Sequence, residues 1–526
     1  MKRLFQRKSL REAIEESSRS GCGLKRSLGA FQLTCLGIGA IVGAGIFSTV
    51  GAAAAGTADV PGAGPALVIS FLLVAVVCAL AALCYAELTA MVPVAGSAYT
   101  YAFATLGELA AWIIGWDLIL EYAVGNVAVG ISWSAYCQQL LSGMGVDWPA
   151  WLGVDWRSAA QAARKAAAAH AAGLDFNTLE AAVRQGALAW QTAPRWGGVP
   201  LIFNLPAFAV VMGVTWVLAL GIRESAGFNT FMVVIKLLFL LLFLGVGVFY
   251  VQPENWTPFA PNGLAGVTSA AAIIFFAYIG FDAISTAAEE TVNPQRNLPR
   301  GILASLVICT VIYMAVAVVL TGMVSWRQLG TAEPLASAFA VRGQHWTAGL
   351  ISVGALLATT SVLLVFQLGQ VRIFFAMARD GLLPRWAARV HPRYRTPHLN
   401  TWLTGAAVAV FAGWSNINEV VELCNIGTLF AFVVVSLGIL ILRRTHPEWP
   451  RPFRVPLFPW VPMAAMGTSL YLMGQLPRIT WARFLIWLGV GLVIYGLRFR
   501  GRHALGQAAP AERRPEEQRD RGAGVE

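Results

Sequence analysis

Apolar residues in this chain fall into long blocks and do not alternate with polar ones at the spacing of a soluble amphipathic helix. A helix needs about 20 apolar residues to cross the hydrocarbon core of a bilayer. Blocks of that kind predict twelve spans, near 28–55, 65–91, 110–140, 203–222, 228–251, 264–291, 301–325, 346–377, 399–415, 418–442, 457–476 and 480–497. Two of them carry a break in the pattern. Span 1 contains Gly39-Ala40-Ile41-Val42-Gly43-Ala44-Gly45-Ile46-Phe47, with three glycines in seven residues. Span 6 contains Phe275-Phe276-Ala277-Tyr278-Ile279-Gly280-Phe281-Asp282-Ala283-Ile284-Ser285-Thr286, where a glycine, an acid and two hydroxyls interrupt an apolar helix.

In lipid every backbone polar group needs a partner, so a helix comes undone only where protein or a water-filled cavity replaces the lost bonds. A broken helix at mid-membrane depth is a candidate binding site. The free N–H groups at the start of its second half suit a carboxylate. The alternative is that the span 1 glycines serve close helix packing. Interruptions at the first span of each of two sets of five favour the binding reading, because that pairing marks an inverted repeat.

Composition agrees with the pattern: 57% of the 526 residues are hydrophobic and 12% charged, which excludes an ordinary soluble domain. The formal charge of +11 does not point to nucleic acid. With the N-terminus inside, 28 of the 38 Lys and Arg residues fall in inner segments, so the excess predicts topology, with both termini cytoplasmic. Residues 1–26 lack the apolar core of a removable signal peptide. Of seven cysteines only Cys22 lies outside the spans, and no paired spacing suggests a disulfide or metal site. No cofactor is expected.

Ionisable residues inside spans 3 and 5 call for an explanation. Asp117 and Glu121 are four residues apart on one face of span 3, either turned to the bundle interior or bonded to neighbours near the inner interface. Lys236 lies about eight residues into span 5, roughly 12 Å deep, so it is either a functional ammonium or a strained snorkelling one. The insertion from Leu141 to Val199 contains helical patches at Ser158–Ala172 and Leu179–Leu188, surrounded by tryptophans. It reads as a small lid or interfacial hairpin without chemistry. Leu10–Ile14 in the tail has some amphipathic character.

GIGAIVGAGIF at 37–47, FFAYIGFDAISTAAEE at 275–290, NPQRNLPRGI at 293–302 and AMARDGLLP at 376–384 together resemble the amino acid-polyamine-organocation superfamily, specifically its cationic amino acid transporter-like permeases. The resemblance runs from about Leu28 to Arg498, apart from the insertion. It implies an all-α membrane protein with a leucine-transporter-like five-plus-five inverted repeat in spans 1–10, broken helices 1 and 6, and two added helices. The corresponding organisation is a cytoplasmic tail (1–27), a transport core (28–443) with an extracytoplasmic insertion (141–199), peripheral spans 11 and 12 (444–498) and a disordered cytoplasmic tail (499–526).

By the same resemblance, backbone amides near Ile41, Ala44 and Gly45 hold a substrate carboxylate. Carbonyls of Phe276, Ala277 and Ile279 accept its ammonium, and Phe281 is the aromatic gate. Ala44 stands where many relatives have Thr, so only the amide bond is expected there. Lys236 matches a lysine of proton-coupled members, and Glu121 is a second candidate on the proton route. The implied function is import of L-amino acids by proton symport across the cell (inner) membrane, with lipid and protons as the other partners. Any accessory subunit is unspecified.

Neutral substrates such as alanine are favoured, because span 6 begins with aromatic bulk and span 8 offers only Thr359, Thr360, Ser361 and Gln367. Cationic substrates and amino acid exchange are the alternatives. A channel would use similar helices. A membrane-embedded enzyme is disfavoured: His170, His345, His391, His398, His446 and His503 all miss the span centres, and no HExxH motif occurs.

Overall fold

The computed structural model describes residues 28–57, 60–91, 97–146, 148–172, 175, 176, 179, 181–221, 226–394 and 396–507. The tail with Leu10–Ile14, the loop Pro93-Val94-Ala95-Gly96, Arg223 and residues from 508 onward lie outside the described residues. The described residues are predominantly helical. Among them eight helices are long and apolar enough to cross a membrane: Gly64–Met91 (α3), Glu108–Gly143 (α5), Thr230–Tyr250 (most of α9, Ala226–Gly247, and the 3₁₀ turn Val248–Tyr250 after it), Gly263–Ser285, Pro294–Met323 (α12), His345–Arg379 (α14), Ile417–Thr445 (α16) and Arg478–Arg498. A ninth is the pair Ala30–Ile41 (α1) and Gly45–Ala55 (α2), bent by 41°. The other three predicted spans correspond to shorter helices, Leu205–Ala219 (α8), His398–Trp414 (α15) and Trp460–Gly474 (α17).

The remaining helices are Ser97–Thr105 (α4), Trp156–Ala171 (α6), Ala181–Thr192 (α7), Ala226–Gly247 (α9), Gly263–Ile274 (α10), Phe281–Glu290 (α11, a 3₁₀ helix), Pro334–Val341 (α13) and Arg478–Gln507 (α18). Two boundaries differ from the sequence reading. The polar stretch Glu289–Arg300 reads as a loop between the predicted spans 264–291 and 301–325, but Pro294–Arg300 forms the first turns of α12, with Asn293 as its cap. Asn293 takes a left-handed φ of 47° and Pro294 stands in the first turn, where its missing N–H costs nothing. The turn-rich connection before α5 contains α4, whose Tyr99 hydroxyl donates to Asp380 at 2.9 Å just past the end of α14.

One apolar core runs through the bundle, with α5, α14, α16, α10 and the broken helices α1 and α2 in its interior. Exposed Phe231, Leu238 and Leu241 on α9, Phe249 in the 3₁₀ turn that follows it, and Leu485, Ile486, Val493 and Leu497 on α18 form an apolar surface suited to lipid. The α18 helix is the least buried of the long apolar helices described and is tied to α5 by indoles. The Trp116 indole donates to the Trp487 carbonyl at 2.9 Å and the Trp487 indole returns a bond to the Trp116 carbonyl at 3.1 Å.

The insertion is a helical hairpin with its own small cluster of Ala159, Ala189, Ala193 and Ile202. Asp155 caps α6 by accepting the Ser158 N–H at 2.8 Å, and burial raises its carboxyl pKa. Its bonds run to the ends of α5 and α16: Gln138 donates to the Gly153 carbonyl at 2.9 Å, and Arg157 pairs with Glu419 at 2.6 Å. Arg483 of α18 meets the same Glu419 at 3.0 Å. These contacts make the hairpin a brace over α5, α16 and α18.

At the other end of α16, the fully buried Glu87 carboxylate of α3 holds the chain together. Arg443 donates to it at 3.0 Å, Arg451 approaches to 3.4 Å and the Val455 N–H donates at 2.7 Å. Removing one member of a buried ionic group costs about 3–5 kcal/mol. Glu87→Ala is therefore expected to lower the melting temperature in detergent well beyond the effect of the exposed Glu448→Ala. Equal melting temperatures would contradict the hub.

Candidate functional site

The break in span 1 forms where α1 runs out of helix-forming geometry. Val42 is extended (φ −77°, ψ 96°), and α2 opens with a π-helical turn over Gly45–Thr49. The last carbonyls of any helix lack internal partners, and here other helices supply them. The Lys236 ammonium, fully buried on α9, donates to the Gly39 carbonyl at 2.7 Å and the Val42 carbonyl at 3.2 Å. The Tyr313 hydroxyl of α12 donates to the Ile41 carbonyl at 3.0 Å. Lys236 therefore does not snorkel. Its stem is buried and its charge sits on the break.

Span 6 breaks at its matching place. The α10 helix tightens to 3₁₀ geometry over Phe275–Tyr278, Ile279 is extended, and Gly280 has φ 118° before α11 begins. That φ belongs to the left-handed side that favours glycine. The two breaks touch each other. A Cβ on Gly45 would stand 2.2 Å from the Cα of Ala277, and one on Gly280 would stand 3.0 Å from Ala40. The glycines thus serve both readings, since they permit the breaks and also let the two backbones cross.

The sequence-predicted residues Ile41, Ala44, Gly45, Phe276, Ala277, Ile279 and Phe281 are all buried around this crossing. Phe281 stands edge-on to Tyr85 at 5.8 Å between ring centres and meets Phe432 at 5.3 Å. Glu121 sits against α16 and α11, with Asp117, Asp282 and Thr428 as neighbours. The Glu121 Oε2 atom and both Asp117 carboxyl oxygens are buried without a hydrogen-bond partner, and Asp117 Oδ1 faces Gly427. No group of three or more His, Cys, Asp or Glu among the described residues has metal-site geometry.

The second half of span 1 is fastened to α5. Ser48 and Ser132 share a hydrogen bond at 2.5 Å, and Tyr136 donates to the Phe47 carbonyl while its ring stands edge-on to Phe47 at 6.0 Å. A Cβ on Gly51 would lie 2.2 Å from the Leu329 carbonyl, so the 326–334 loop rests directly on α2. In that loop, burial pushes the Glu333 carboxyl up to about 7. Sequence reasoning missed Tyr313, Ser132, Tyr136 and Asn425, whose amide donates to the Ala272 and Ile273 carbonyls at 2.7 and 3.1 Å. Their one signal is a polar group inside an apolar span.

A family model described as amino acid permease matches residues 28–494. The chain is 44% identical over 505 residues to the methylthioribose transporter of Bacillus subtilis (strain 168), covering 96% of this chain and 99% of that one. It is similar to the same extent to the branched-chain amino acid permease BcaP of that organism, 44% over 505 residues. It is 35% identical over 431 residues to the vacuolar cationic amino acid transporter 4 of Arabidopsis thaliana, covering 81% of this chain and 64% of the relative.

The crossing predicts that Gly45→Ala, whose new methyl meets backbone atoms, shortens the half-life of the folded protein in detergent. Gly213→Ala, with nothing within 4 Å of the added carbon, is expected to leave it unchanged. A Gly45→Ala protein as durable as the wild type would contradict the close approach.

Proposed function

The chain belongs to the amino acid permease family and is a transporter, not an enzyme, and from that premise we propose that it imports neutral L-amino acids such as alanine together with protons, by alternating access. The observation that carries this reading is the buried Lys236 ammonium on the Gly39 and Val42 carbonyls. A cation held on carbonyls of a broken membrane helix is stabilised where a sodium ion would serve equally, and a lysine can release its charge as a proton. Loss of that proton removes the charge from the bonds to the Gly39 and Val42 carbonyls, which weakens them and loosens α1 against α9. Proton binding and the conformation of the break are then one equilibrium.

The substrate site of this reading lies at the crossing of the breaks. N–H groups at the start of α2, near Ala44 and Gly45, hold the carboxylate, and the carbonyls of Phe276, Ala277 and Ile279 hold the ammonium. A zwitterion is costly to desolvate, and two opposed helix ends match it without a further formal charge. Phe281 closes over the site, and Glu121 takes part in the proton route. The architecture that accompanies this reading has twelve spans, of which the first ten form a five-plus-five inverted repeat with α1/α2 and α10/α11 as its broken helices. The shorter α8, α15 and α17 complete the count. Residues 28–443 form the transport core, α17 and α18 flank it, and both termini face the cytoplasm of a cell whose inner membrane holds the protein.

Neutral selectivity is supported by the aromatic surround of Phe281 and by the name of the branched-chain relative. The cationic reading has its own observation, the buried carboxylates Asp117, Glu121 and Asp282, and the Arabidopsis relatives are named for such substrates.

Reconstituted in liposomes, the protein is expected to accumulate radiolabelled alanine when an inward proton gradient is imposed. Lys236→Ala is expected to abolish the stimulation by the gradient while alanine exchange persists. Uptake only into liposomes preloaded with amino acid would identify an exchanger, and stronger competition by arginine than by alanine would overturn the neutral preference.

A further inference from the structure

The donor at the span 6 break comes from α16, as the donor at the span 1 break comes from α9. The α10 helix is α-helical to Ile274, where the Phe275 N–H is shared between the carbonyls of Ala271, four residues back, and Ile273, whereas the Ile279 N–H reaches back only three residues, to Phe276. A change from four-residue to three-residue bonding strands a carbonyl at the changeover. Ala272 and Ile273 lie there, and the Asn425 Nδ2 donates to both, at 2.7 and 3.1 Å. The Asn425 side chain is fully buried. In lipid such a carbonyl has no water to turn to, so the amide is needed for the break to persist.

We propose that Asn425 is the counterpart of Lys236 in the second half of the chain, a positioning residue that fixes the carbonyl run receiving the substrate ammonium. The assignment rests on the five-plus-five reading, in which α9 and α16 are the fifth helices of their repeats and α1 and α10 the first halves of the broken ones. Lys236 serves the closing turn of α1, and Asn425 serves the closing turn of α10.

The difference in charge follows from what each break holds. At span 1 the substrate brings a negative group to the N–H groups of α2, and a buried cation behind them is favourable. At span 6 it brings a positive group, and a second fixed cation would repel it at low dielectric. A neutral donor serves the carbonyls of Ala272 and Ile273 and adds no charge near those of Ala277, Ile279 and Phe276, the last of which already accepts the Ile279 N–H and has one lone pair left for the ammonium. One half of the repeat therefore carries the titrating group and the other a group that cannot titrate.

The test is alanine uptake kinetics in proteoliposomes for the wild type, Asn425→Leu and Asn425→Gln, each with and without an inward proton gradient. The assignment predicts about a tenfold rise in KM for Asn425→Leu, the size of one lost hydrogen bond between neutral groups. It also predicts a maximal rate within twofold of wild type and an unchanged stimulation by the gradient. Asn425→Gln, which keeps the amide, is expected to recover part of the KM, and it decides the matter if Asn425→Leu does not fold.

An unchanged KM, a fall in maximal rate alone, or loss of the gradient effect in an Asn425 variant would overturn the assignment. No alanine uptake by the wild type would instead contradict the neutral-substrate reading on which the assignment rests. A wild type that transports, with Asn425 variants of unchanged KM, would remove only this inference.

Discussion

The structure depends on one interaction, a lysine ammonium buried in the bundle and bonded to the carbonyls of Gly39 and Val42. An isolated charge at this depth is expensive, and an isolated carbonyl is also costly. Together they satisfy one another, so the span 1 break and the buried charge each make the other affordable in free energy. The Tyr313 hydroxyl completes the arrangement by taking the Ile41 carbonyl between them. Tyr313 also stands edge-on to Tyr278 at 5.6 Å, which joins the span 1 break to the span 6 break through α12.

Around this core, stiff and loose parts are distributed unevenly. The ends of α16 are held by Glu87 with its arginines and by Glu419 with Arg157 and Arg483. The α5 helix is gripped by paired indoles and by α14. The broken helices are held through backbone carbonyls, single hydroxyls and glycine contacts, all of which can be exchanged without separating formal ion pairs. A ten-residue 3₁₀ helix, α11, follows the second break; 3₁₀ runs of that length are uncommon, and a 3₁₀ stretch within a helix often marks a hinge or strain. This division suits a scaffold against which a central part moves.

The membrane makes much of the fold legible in the sequence. Blocks of apolar residues had to be helices, and the glycine-rich interruptions at 39–45 and around 280 had to be breaks or close contacts, which in the structure are the same thing. Lys236 was legible because a charge in lipid demands an explanation wherever it points. Tyr313 and Asn425 were not, because one hydroxyl or amide in an apolar helix does not reveal which way its face is turned or which carbonyl lacks a partner. The start of α12 was misread because Asn293-Pro294 has the composition of a turn, and only the left-handed φ at Asn293 shows that the proline opens a helix. The insertion helices were legible from their alanine-rich pattern, while their role as a brace depended on Arg157 and Glu419, 262 residues apart.

The central claim, that the charge on Lys236 is the proton that moves with the substrate, is tested most directly from the proton's side. Alanine would be added to proteoliposomes in weak buffer with a pH-sensitive dye trapped inside, with no gradient imposed. The account predicts acidification of the lumen by the wild type, and alanine entry without acidification by Lys236→Met. Acidification that survives in Lys236→Met, at the wild-type ratio of protons to alanine, would contradict it.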